Sequence, residues 1–94
     1  MIVHNLMEEI VSHCLRDLMQ HREGMDGLSD DQLSDIMALA LNRLPPKYVA
    51  TSKGEMFAKT QLRAQVETDV YRELAYAVNK VTRNSRKRDF DRKN

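Results

Sequence analysis

The residues best equipped for chemistry in this sequence lie together in LNRLPPKYVATSKGE, positions 41 to 55. Arg43, Lys47 and Lys53 supply three cations, Thr51 and Ser52 two hydroxyls, and Tyr48 a flat ring with a phenol. Pro45 and Pro46 stiffen the chain among them by locking φ. The amides of Lys53 and Gly54 fall just ahead of a predicted helix, where free N–H groups and the helix dipole favour an anion. This is a stiff loop able to hold a phosphate while Tyr48 or Arg43 offers a surface to a base. A plainer role is compatible with the same residues: Thr51 or Ser52 caps the following helix and Tyr48 packs on the core.

Other chemistries find less support. His4, His13 and His21 recur at nine- and eight-residue steps. Those steps turn the rings by roughly 180° and 80° around a helix, so the three do not converge on a metal. Cys14 stands alone, which excludes an internal disulfide and a cysteine-rich zinc site, and its apolar neighbours suggest a small core residue. Asp30, Asp31 and Asp35 read as helix-capping carboxylates. Neither a Gly-x-Ser-x-Gly elbow nor a Walker or Rossmann glycine pattern occurs. The expectation is a protein that binds rather than catalyses, with no metal and no cofactor.

The elements that must position the loop are helical. Val3, Leu6, Met7, Ile10, Val11, Cys14, Leu15, Leu18 and Met19 step by threes and fours, forming one buried stripe. The pattern dissolves at REGMDGLSDD, where Gly24 and Gly27 permit a turn. Ser29 with Gln32 makes a capping box, and Asp30 and Asp31 meet the positive end of the dipole. A second helix with the face Leu33, Ile36, Met37, Ala40, Leu41, Leu44 runs to about Asn42. It stops because Leu44 and Pro45 each precede a proline. From about Gly54, Phe57, Leu62, Val66, Val70, Leu74, Ala77, Val78 and Val81 predict a third helix of about 28 residues, a rod of roughly 40 Å. One small domain cannot cover such a rod, so it either breaks near Thr60 or lends its exposed stripe to a second copy of the chain.

Composition agrees with an all-α domain of three to four helices. Of the 94 residues, 41% are hydrophobic and 31% charged, with five aromatics and no tryptophan. A chain this short buries roughly two-thirds or less of its unfolded surface, which favours a helix-on-helix homodimer. No apolar run approaches the roughly 20 residues of a membrane span, and MIVHNLMEEI lacks the regions of a signal peptide, so the expected location is cytoplasmic. Charge is uneven. The formal net charge is +1, yet RNSRKRDFDRKN, residues 83 to 94, holds six Arg or Lys against two Asp. Residues 1 to 82 therefore read as the folded domain and 83 to 94 as a basic flexible tail, either a solubilising terminus or a contact for nucleic acid or an acidic protein.

The stretch ALALNRLPPKYVATSKGEMF, with a helix before it and AKTQLRAQVETDVYRELAYAVNKV after it, resembles the late competence development protein family, ComFB. The resemblance covers roughly residues 3 to 82. Its most telling part is Ala40-Leu41-Asn42-Arg43-Leu44-Pro45-Pro46, with Tyr48 two residues on and Thr51-Ser52 beyond. It implies a small, cytoplasmic, all-helical, dimeric protein, of a family in which some members are receptors for cyclic di-GMP or cyclic di-AMP. Other members bind zinc through cysteines between the first two helices. HREGMDGLSDD has none, so that site is not carried over.

What the resemblance implies meets the residue chemistry on the same loop. The expected ligand is a cyclic dinucleotide, cyclic di-GMP before cyclic di-AMP. Arg43 would stack on or pair with a guanine, Tyr48 would form a wall, and Thr51, Ser52 and Lys53 would hold phosphate, with Pro46 and Lys47 completing the loop. Arg63 and Gln65 on the following helix would touch the ligand's edges. The competing expectation is a dimeric adaptor whose loop only connects helices and whose basic tail does the binding.

Overall fold

The computed structural model describes residues 3–50 and 52–93, with side chains described for 3–50 and 53–84. Their order is a two-residue strand β1 (His4–Asn5), helix α1 (Leu6–His21), helix α2 (Asp30–Asn42), a two-residue strand β2 (Tyr48–Val49) and helix α3 (Ser52–Lys93). The fold is all-α, with the strands contributing one short antiparallel pairing. None of the described helices is long and apolar enough to cross a membrane.

α1 buries most of the stripe read from the sequence, Leu6, Met7, Ile10, Val11, Cys14 and Leu15, while Leu18 in its last turn is only partly buried and Met19, expected inside, is exposed. It begins three residues later than the apolar pattern, because Asn5 is extended and its side chain accepts from the Met7 amide at 3.1 Å, an N-cap. Val3 is left outside the helix and exposed. In the connection to α2, Gly24 adopts φ +87°, a conformation that residues with a Cβ rarely take. Met25 then turns inward and is buried between the helices.

The capping box of α2 is formed in full. The Gln32 amide donates to Ser29 Oγ at 3.1 Å and the Ser29 amide to Gln32 Oε1 at 2.9 Å. Ile36, Ala40 and Leu44 are buried, with Leu33, Met37 and Leu41 packed beside them. The helix closes on tightened bonds, Arg43 N–H to the Ala40 carbonyl and Leu44 N–H to Leu41, before the prolines end it.

α3 lies across both helices through Leu62, Val70, Leu74, Ala77 and Val78, all buried. Two expectations about it are corrected. The helix does not break near Thr60, whose hydroxyl donates to the Met56 carbonyl within an unbroken ladder. Phe57 does not join the core: it is 68% exposed, and Met56 beside it 74%, while Ala58 and Lys59 of the same turn are the residues that meet the core and α1. The backbone also remains helical through the basic segment to Lys93, where composition predicted fraying. Extension of an existing helix adds a hydrogen bond per residue without a new nucleus, and Arg and Lys are good helix formers. The long helix makes the molecule elongated, 55 × 29 × 18 Å.

A polar clasp joins α3 to α1. Tyr71 donates its hydroxyl hydrogen to Asp17 Oδ2 at 2.8 Å, and burial together with that bond raises the phenol's pKa well above its usual value. Burial likewise raises Cys14, which bonds with Tyr71 and serves as a core residue.

Candidate functional site

Residues 43 to 50 are tied down at their centre by one side chain. Asn5 Oδ1, already the cap acceptor of α1, also accepts from the Lys47 amide at 2.8 Å. The Leu6 amide in turn donates to the Lys47 carbonyl at 2.6 Å. With these bonds in place, His4 pairs with Val49 and Asn5 with Tyr48 in antiparallel register. A helix cap and a loop anchor are thus the same group. The two prolines shorten the set of loop conformations that must be ordered, which lowers the entropy lost on fixing it.

This anchoring turns Tyr48 outward. The ring is 66% exposed and does not pack on the core as the plainer sequence reading has it. It borders a shallow groove of about 220 Å³, whose floor is Leu6, Val49, Ala58 and Leu62 and whose polar rim is Lys47, Gln61 and Gln65. Three of the sequence-predicted residues, Lys47, Tyr48 and Gln65, therefore share one surface. Gln61 joins them one helical turn before Gln65; the spacing of four was the signal for it.

The other predicted residues lie elsewhere. Arg43 leaves the groove and crosses to α3, where its Nε donates to Glu73 Oε2 and its guanidinium lies 4.1 Å from the centroid of the Tyr76 ring. The adjacent carboxylate raises its pKa further, so the guanidinium stays charged. Arg63 lies on a different face of α3, in a groove of about 250 Å³ against α1 that also contains Glu9, His13, Arg16 and Lys59. Pro46 and Lys53 are exposed. Thr51 lies outside the described residues, and Ser52 is described only as the first backbone residue of α3. Glu73 and Tyr76, which hold Arg43, were not singled out from sequence; their spacing of three on one helix face becomes informative only once Arg43 is seen above them.

A short helical domain whose N-terminal strand clasps a Pro-Pro-Lys-Tyr loop against a long third helix defines the class. The chain belongs to the late competence development protein ComFB family, whose model matches residues 4–85. The solved structure of the late competence protein ComFB from Bacillus subtilis is similar, with a TM-score of 0.71 at 24% identity over 87% of this chain and 90% of that one. At that identity the likeness speaks for the fold. No curated protein matches the chain.

Proposed function

We propose that this ComFB-family protein is a non-enzymatic receptor for a cyclic dinucleotide, cyclic di-GMP in the first instance, acting as a small dimeric signalling protein in the cytoplasm. The observation that carries the reading is the exposed Tyr48 ring beside a groove rimmed by Lys47, Gln61 and Gln65. An aromatic face accepts a base by stacking, amide side chains can bond its edges, and an ammonium serves a phosphate. Arg43, stacked on Tyr76 and paired with Glu73, acts here as a brace for the loop and presents its other edge to solvent. The groove is smaller than the roughly 300 Å³ at which small-molecule pockets begin. Half a ligand per chain follows: a two-fold symmetric dinucleotide sits between the loops of two copies, each giving a Tyr48.

Calorimetric titration with cyclic di-GMP and cyclic di-AMP, with GTP as control, tests this. Binding at one dinucleotide per two chains, lost in Tyr48→Ala, supports it. Absence of heat with both, together with an unchanged melting temperature, rejects it. The second reading is a dimeric helical adaptor whose basic tail, residues 83–94, contacts nucleic acid or a protein partner, and the exposed Met56 and Phe57 give α3 an apolar surface that favours a protein. Under it, removal of residues 83–94 abolishes partner binding, whereas the receptor reading leaves nucleotide binding intact in that truncation.

A further inference from the structure

We propose that His4, Glu9 and Glu55 form a binding site for one divalent transition-metal ion of the zinc type. His4 comes from β1, Glu9 from the first turn of α1 and Glu55 from the first turn of α3. Each offers one ligand atom, an imidazole nitrogen or a carboxylate oxygen, and the three atoms lie within 4.8 Å of one another. His4 Nε2 and Glu55 Oε1 share a hydrogen bond at 3.2 Å, which an entering ion would replace. Two ligands at the usual zinc bond lengths of about 2.0–2.1 Å in a tetrahedron are separated by roughly 3.3 Å, so this pair already has the spacing of a shared ion.

The convergence depends on tertiary structure. His4 is held in register against Val49, while the Asn5 cap fixes where α1, and with it Glu9, begins. Residues 51 positions apart in the chain are thereby brought to one point. The charge of the cluster also calls for a cation. Two carboxylates converge here on one imidazole, and Lys59 Nζ has come to 3.3 Å from Glu9 Oε2, compensating one of the two negative charges. Lys59 and Glu9 are both nearly half exposed, so the ammonium can leave and an ion can enter. One nitrogen and two oxygen donors suit zinc, and three protein ligands leave the fourth position to water or an anionic group. The three histidines do not converge on one another, and the cluster uses only one of them, with carboxylates from two helices. Its place at the far end of α1 also separates it from the α1–α2 connection, which contains no cysteine.

The test is titration of untagged, chelator-treated full-length protein with Zn²⁺ by calorimetry, repeated with Co²⁺ followed by visible absorption. One ion per chain is expected, with the intense absorption of a four-coordinate cobalt site. Loss of an outer-sphere partner alone commonly lowers metal affinity 10- to 100-fold, so His4→Ala and Glu55→Gln should each weaken binding by at least about tenfold. Glu8→Gln should leave affinity unchanged, and Lys59→Gln should tighten it by removing the competing cation. Glu55→Gln preserves shape, and far-UV circular dichroism on each variant reports whether the fold is retained. The proposal is overturned if binding is weaker than roughly 0.1 mM, or if His4→Ala and Glu55→Gln bind as tightly as the parent, which would place the ion at His13 or His21.

Discussion

Asn5 is the residue on which the architecture of the loop turns, and replacing it by alanine isolates its two functions. Its Oδ1 accepts from Met7 N–H as the α1 cap and from Lys47 N–H as the loop anchor. Loss of an N-cap side chain costs typically about 1 kcal/mol. The Lys47 bond adds a similar amount, since a net hydrogen bond contributes about 0.5–1.5 kcal/mol. Asn5→Ala should therefore destabilise the protein by about 2 kcal/mol. Ser29→Ala, which removes the acceptor of the α2 capping box and touches no loop, should lose about 1 kcal/mol. For a domain of this size each kcal/mol lowers the midpoint by roughly 4–8 °C, giving a drop of roughly 8–16 °C for the first variant and half that for the second. Asn5→Asp keeps the acceptor oxygen and should stay close to the parent. Urea unfolding followed by circular dichroism, at one fixed protein concentration because association would shift the midpoint, measures all three. The reasoning is refuted if Asn5→Ala unfolds no more easily than Ser29→Ala, or if Asn5→Asp falls as far as Asn5→Ala.

Four further outcomes are expected. Tyr48→Ala should weaken dinucleotide binding by roughly 5- to 150-fold, the range of one lost base stack at about 1–3 kcal/mol, with unfolding unchanged because the ring is exposed; titration and urea melts on one preparation separate the two. Leu74→Ala should cost about 2–5 kcal/mol, since Leu74 is fully buried where α3 enters the core. Arg43→Ala should lower stability by much less than Leu74→Ala, and Arg43→Lys should not restore it, because only the planar guanidinium both stacks on Tyr76 and pairs with Glu73. Stability should fall as pH rises past the ordinary tyrosine value of 10, because folded Tyr71 has a raised pKa and so keeps a proton that the unfolded chain releases. Tyr71→Phe should reduce this alkaline loss, leaving the smaller share from Cys14, whose pKa is shifted in the same direction.

The helices were legible because each carries its own instructions. The three-and-four spacing of α1, the Ser29–Gln32 box and the proline stop of α2, and the apolar steps of α3 from Leu62 to Val78 are local patterns, and local hydrogen bonding rewards them directly. The candidate groove was legible in part. Residue types in the loop pointed to Lys47 and Tyr48 and the next helix to Gln65, and these three share the candidate groove, whereas Arg43 and Arg63, expected on the same surface, do not line it. Residue type says what a side chain can bind and nothing about which of several faces the backbone will give it.

The sequence by itself determined an all-helical chain of three to four helices, where the first two end, and a stiff cationic segment before the next, since these depend on residues a few positions apart; that α3 runs unbroken past Thr60 was decided by the structure. Only the tertiary structure decided that two residues ahead of α1 would pair with Tyr48–Val49, that Asn5 would serve both a cap and a loop, and that His4, Glu9 and Glu55 would meet. A two-residue strand has no periodicity to read, and a contact across some 50 residues leaves no local trace. It exists because α1 and α3 bury their stripes against each other, and whatever lies at their ends is carried into contact by that packing.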